Sequence, residues 1–142
     1  MKKVVGAGSL VVDITAYVPH LPRDGETVLG KTVRFGPGGK GNNQMTAVHR
    51  AGAEAVIISK VGEDFLAEIM KAHYEREGMS QKYIGAVKGG ETGSALIEVD
   101  ENTAQNAIVV VKGANDAVDA AAVEAAEHEF ADCDAVLTQL ET

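Results

Sequence analysis

The stretch Phe35-Gly36-Pro37-Gly38-Gly39-Lys40-Gly41-Asn42-Asn43-Gln44 constrains this chain more than any other, because it sets four glycines against a lysine and two asparagines where a helical pattern begins. Glycine lets backbone approach a ligand closely. The amides at a helix N-terminus point outward with partial positive charge, so such a segment can hold an oxygen-rich ligand. Lys40 and the Asn side chains would add directional hydrogen bonds. A plain turn is the alternative. A nucleotide phosphate loop does not fit: counting back from Gly39-Lys40 places Arg34 at the required first glycine, and Gly41 stands where a metal-binding hydroxyl belongs. A dinucleotide fingerprint begun by Gly6-Ala7-Gly8 fails at Val11, the third glycine position.

The pattern around this segment is that of an α/β protein. Val4 to Val12 is an apolar run broken only by Gly6 and Gly8, which predicts a strand covered on both faces, as in parallel sheets. From Asn42 to Ala53 the spacing is helical, through Met45, Val48 and Ala51 or Gly52, and Ala55 to Val61 returns to β-branched residues. Strand, excursion, helix, strand reads as a βαβ arrangement. A second helix is predicted from Asp64 to Glu77, with Phe65, Leu66, Ile69, Met70 and Tyr74 on one face and Gly78 as its cap.

Ile14 to Phe35, with Pro19, Pro22 and Gly25, and Thr92 to Val111 break the rhythm. The second reads as two strands, Ser94 to Asp100 and Gln105 to Val111, joined at Glu101-Asn102-Thr103. A small antiparallel sheet attached to the parallel body accommodates both. Ala117 to Ala131 is predicted as one Ala-rich helix, and Asp134 to Leu140 as a further core strand.

Charge and composition exclude several functions. Asp and Glu outnumber Lys and Arg, 21 to 13, and the net charge of −8 repels nucleic acid. No Lys or Arg follows Lys112, so the acidic excess gathers toward the C-terminus. No window approaches the roughly 20 apolar residues of a membrane span. Lys2 and Lys3 before an apolar run resemble an export signal until Asp13 interrupts it, and a buried strand is the better reading. The single Cys133 can form no internal bridge, so a reducing compartment is the simpler reading and a cytoplasmic location the expectation. His20, His49, His73 and His128 show no metal-ligand spacing, and Asp132 and Asp134 read as a solvated connection.

Gly38-Gly39-Lys40-Gly41-Asn42-Asn43-Gln44 resembles the N-terminal signature of the ribokinase-like, or PfkB, carbohydrate kinases. Further landmarks in the same order are Asp13 at the end of an early strand, Pro22-Arg23-Asp24-Gly25-Glu26-Thr27, Val61-Gly62-Glu63-Asp64, Thr92-Gly93-Ser94-Ala95, Gly113-Ala114-Asn115 and Gln139-Leu140-Glu141. The resemblance implies a Rossmann-type three-layer α/β/α sandwich with a small β-sheet lid, the lid drawn from about residues 14–36 and 92–111. It implies sugar binding between sheet and lid. Asp13 would accept hydrogen bonds from sugar hydroxyls, Gly39 would offer its amide, Lys40 and Asn43 would donate to sugar oxygens, and Glu141 would close the site. Asp13 could instead merely end its strand, Lys40 be a solvated charge, Asn43 cap the helix, and Glu141 fray. One departure stands out: Val11 lies two residues before Asp13, where the family usually carries a sugar-contacting Asn.

The family's catalytic Asp, in a G-A-G-D-like motif, has no counterpart here, since Gly113-Ala114-Asn115-Asp116 lacks the second glycine. Residues 1–142 therefore read as the N-terminal, sugar-binding half of one kinase domain, without a catalytic residue or metal site of their own and inactive alone. The expected parent transfers the ATP γ-phosphoryl group to a sugar hydroxyl, most simply D-ribose to ribose 5-phosphate, with Mg2+ and a monovalent ion such as K+. Another sugar, a nucleoside, or a non-catalytic sugar-binding module are the alternatives. A homodimer through the lid strands is the expected assembly.

Overall fold

The computed structural model describes all 142 residues. The apolar run at the N-terminus yields two strands where one was expected: β1 (Lys3–Ala7) and β2 (Val11–Val18). The break falls at Gly8-Ser9-Leu10. There the Asn115 side chain takes both backbone groups of Leu10, and the Gly8 N–H donates to the Ile58 carbonyl at 3.2 Å. The chain thus leaves one sheet and enters another within three residues.

The first sheet is wholly parallel, in the order β5 (Ile84–Ala86), β4 (Glu54–Val61), β1 and β8 (Ala135–Thr138). Alternation along β4 sends Ala55 and Ile57 to one face and Val56 and Ile58 to the other. Helices α1 (Lys40–Arg50) and α2 (Phe65–Glu77) cover the first face, where Leu10, Val12, Met45, Leu66, Met70 and Tyr74 complete the larger core. Val5, Val56, Ile58 and Ala126 form the second core beneath α3 (Ala120–Glu124) and α4 (Glu127–Phe130). This is a three-layer α/β/α arrangement.

Helix α2 runs as its signals predict. Asp64 Oδ1 accepts from the Ala67 N–H at 2.9 Å, and Gly78 ends the helix at φ 70°. Phe65 differs from expectation, being 66 % exposed. The buried stripe is Leu66, Met70 and Tyr74, and Phe65 lies about 100° around the helix from Leu66. It meets Phe35 edge-on instead, with ring centroids 6.2 Å apart.

The second sheet has the order β3 (Thr32–Gly38), β2, β6 (Gly93–Asp100), β7 (Asn106–Val111). It is mixed, where a purely antiparallel sheet was expected. The outer pairs are antiparallel, but β2 and β6 run parallel, because both leave the body of the first sheet in the same direction.

Two C-terminal expectations are corrected. The Ala-rich segment is a 3-10 turn (Gly113–Ala117) followed by two short helices, the chain bending at Ala125-Ala126 so that Ala126 is fully buried against the sheet. A long alanine helix has little apolar surface to hold it straight. The segment Asp134 to Leu140 contributes only four strand residues, at the sheet's edge, with Val136 56 % exposed. Asp132 and Asp134 are not merely solvated: Asp132 pairs with Lys3 at 2.8 Å and Asp134 with Lys2 at 2.5 Å. No helix is long and apolar enough to cross a membrane.

Candidate functional site

Strand register builds one wall of the site. Val11 and Asp13 of β2 stand beside Gly93 and Ala95 of β6, and Ala95 and Ile97 stand beside Val110 and Ile108 of β7. Since alternate residues share a face, Val11, Asp13, Ala95, Ile97, Ile108 and Val110 all look the same way. They line a cavity of about 440 Å³ whose remaining lining is Ser9, Gly39, Lys40, Asn43, Lys112, Asn115 and Glu141. That wall is apolar apart from Asp13, and the other side is rich in donors and acceptors, the build of a site for a small polar ligand with a C–H face.

The polar side depends on a close approach of α1 to the β1–β2 bend. Gly39 precedes the helix at φ 90°, and a Cβ there would lie 2.6 Å from the Ser9 carbonyl oxygen. That carbonyl accepts from the Asn42 N–H at 3.0 Å, pinning the first turn of the helix. No side chain caps α1. Asn43 is its fourth residue and not the cap considered above, so its carboxamide is left to other uses.

Asp13 stands third in β2 and does not end its strand, since β2 continues to Val18. Burial alone, with no donor beside it, pushes its carboxyl above the usual range. A half-buried carboxylate without a partner is costly and is relieved by any ligand that brings hydroxyl donors. Lys40 and Glu141, 101 residues apart, form an ion pair that joins the start of α1 to the segment after β8. All five residues singled out in the sequence, Asp13, Gly39, Lys40, Asn43 and Glu141, thus border one cavity.

Sequence reading missed Ser9, Ala95, Ile97, Ile108, Val110, Lys112 and Asn115 as lining residues. The alternation in β6 and β7 shows which residues share a face, but nothing local tells which face meets the cavity. Asn115 had a signal in Gly113-Ala114-Asn115, and its role is structural as well: it is buried and bonds Leu10 N, Leu10 O and Lys112 O, each at 2.8 Å.

Two other landmarks join in a clasp away from the cavity. Thr92 Oγ1 accepts from the Gly62 N–H at 3.0 Å and donates to Asp64 Oδ1 at 2.6 Å, while the Thr92 N–H donates to Asp64 Oδ2 at 2.7 Å. Against a desolvation cost that works the other way, these bonds from Thr92 and those from Ala67 and Leu66 hold the Asp64 carboxyl below its ordinary range. No group of three or more His, Cys, Asp or Glu side chains comes together to hold a metal ion.

A parallel α/β body and a second four-stranded sheet, with an amphipathic cavity bordered by that sheet and the start of α1, define an α/β protein with a pocket of small-molecule size. Residues 1–139 match the pfkB family carbohydrate kinases, and the chain belongs to that family. It is 36 % identical to the ribokinase of Haemophilus influenzae over 141 residues, which is 99 % of this chain and 46 % of that protein. The ribokinase structure from Giardia lamblia superposes with a TM-score of 0.87 at 30 % identity, covering 99 % of this chain and 43 % of the other. That of Arabidopsis thaliana ribokinase complexed with ribose and ATP gives 0.82 at 28 % identity, covering 99 % and 46 %. The chain spans about half the length of the curated relatives it matches.

Proposed function

We propose that this chain is the sugar-binding part of an ATP-dependent sugar kinase, which moves the γ-phosphoryl group of ATP to a sugar hydroxyl, most simply converting D-ribose to ribose 5-phosphate with release of ADP. One observation carries the reading: residues from four distant places in the chain, Asp13, Gly39 with Lys40 and Asn43, the β6–β7 wall and Glu141, border a single cavity.

Asp13 accepts from two sugar hydroxyls, replacing the missing partner of its carboxylate. The Gly39 amide, Lys40 and Asn43 donate to ring and hydroxyl oxygens, and Glu141 shares Lys40 with the ligand. Ala95, Ile97, Ile108 and Val110 cover the C–H face of the sugar, so the second sheet acts as a lid made from about residues 14–36 and 92–111. Val11 sets an apolar surface beside Asp13, which favours a sugar or nucleoside that asks for no hydrogen bond at that point.

Phosphoryl transfer also needs a base for the attacking hydroxyl and charge compensation for the phosphate. The residues bordering the cavity are taken up by the acceptor: Asp13, Gly39, Lys40, Asn43 and Glu141 face the sugar. No step through ATP, Mg2+ or K+ is assigned to them. The chain binds and orients the acceptor, and the kinase activity belongs to a longer protein in the cytoplasm.

The lid is also the surface for a second copy of this chain. Its outer strands expose Val33 and Phe35 on β3 and Ile108 to Val111 on β7, each with an unpaired edge. Sedimentation should show a dimer that Val109→Lys dissociates. Titration of the chain with pentoses, hexoses and nucleosides tests the sugar site, and absence of binding to all of them would sink it. A non-catalytic sugar-binding module is the second reading; it predicts binding with no phosphorylation by any longer form of the protein.

A further inference from the structure

Asn43 borders two hollows at once. One is the cavity described above. The other, of about 530 Å³, opens across α1 between Pro37, Thr46, Arg50 and His73. A carboxamide so placed can turn either its oxygen or its nitrogen toward the cavity, and something must choose between them.

A chain of side-chain hydrogen bonds beginning on α2 makes that choice. His73 is only 5 % exposed, and its Nε2 lies 3.1 Å from Thr46 Oγ1. The Thr46 hydroxyl donates to Asn42 Oδ1 at 3.4 Å, and Asn42 Nδ2 donates to Asn43 Oδ1 at 3.3 Å. A hydroxyl has one hydrogen to give. Thr46, having given it to Asn42, must accept from His73, whose Nε2 therefore carries hydrogen. The bonds run one way from the imidazole to Asn43 Oδ1, and the Asn43 Nδ2 remains free to donate.

We propose that His73 is a positioning residue for the sugar site, acting through Thr46 and Asn42 to present the amide N–H of Asn43 to the ligand. The inference rests on the sugar-site reading above. Burial lowers the proton affinity of His73 and favours the neutral ring, while Tyr74 packs edge-on against it with centroids 5.5 Å apart. With the ring plane held and the hydrogen on Nε2, every bond in the network is satisfied in the direction that leaves Asn43 Nδ2 free.

The test uses the whole chain with 15N-labelled Asn side chains, compared among the unsubstituted protein, Thr46→Val, Thr46→Ser and His73→Phe. Thr46→Val and His73→Phe should shift the Asn43 amide signals and weaken D-ribose binding about three- to tenfold, the loss of roughly one hydrogen bond. Thr46→Ser, which keeps the hydroxyl, should restore both, and so separates lost orientation from lost folding. Asn43 signals that ignore Thr46→Val overturn the inference even if ribose binds. If the unsubstituted chain takes up no sugar while the Asn43 signals still follow Thr46, the relay stands and the sugar-site reading falls.

Discussion

The Asn115 carboxamide grips Leu10 by both of its backbone groups, Oδ1 accepting from the N–H and Nδ2 donating to the carbonyl, each at 2.8 Å. The bend that passes the chain from one sheet to the other, and that floors the cavity, is held by this contact. Asn115→Ala leaves two buried backbone groups unpaired, and is expected to cost about 3 kcal/mol, on the order of 10 °C in Tm. Thermal unfolding followed by circular dichroism measures it; a shift under 2 °C would show the bend to be held by other contacts.

Thr92 does for the start of α2 what Asn115 does for the bend. Thr92→Val removes the acceptor of the Gly62 N–H and a donor to Asp64, with an expected loss of about 2 kcal/mol. Because the folded Asp64 carboxyl lies below its ordinary 3.8, its contribution is complete above that value and disappears as pH falls through the lowered one. Melting curves of Thr92→Val should therefore depend less on pH in the acid range than those of the unsubstituted chain.

His73 has the opposite chemistry and the same sign. Desolvation lowers its pKa, with Arg76 and Arg50 acting in the same direction and Glu77 opposing. The unfolded chain binds the proton first, so stability is full above the ordinary 6.5 and declines as pH drops below it. His73→Gln should flatten this part of the stability profile between pH 7.5 and 5; an unchanged slope would contradict the buried neutral ring.

Gly39→Ala tests the close approach of α1. An alanine at φ 90° is strained, and its Cβ would lie 2.6 Å from the Ser9 oxygen. The strain alone is worth roughly 1–3 kcal/mol, and relief comes by parting the helix N-terminus from the Ser9–Val11 backbone, both of which border the cavity. Sugar affinity should fall more than tenfold while the chain remains folded, as read by titration beside a melting curve.

Much of this fold is legible in the chain. Helix α2 carries its own start and stop signals in Asp64 and Gly78, and β6 and β7 show as alternating runs about a polar turn. The split of Val4 to Val12 into two strands is not legible, because both halves are apolar and the break is made by Asn115, 105 residues from Leu10. The alanine-rich segment misleads in the same way: intrinsic helix propensity favours one helix, and burial of Ala126 overrides it. Of the site, the glycine segment and Asp13 announce themselves through residue type. The apolar wall does not, since Ile108 and Val110 differ from Val109 only in the face they present.

The proposed sugar site turns on the Asp13 carboxylate. Isothermal titration of the chain with D-ribose, beside Asp13→Ala, tests it most directly. Saturable binding with one sugar per chain is expected, weakened at least about tenfold by the substitution, as fits the loss of hydrogen bonds to a charged acceptor. Absence of binding, or equal affinity in the two proteins, would contradict it.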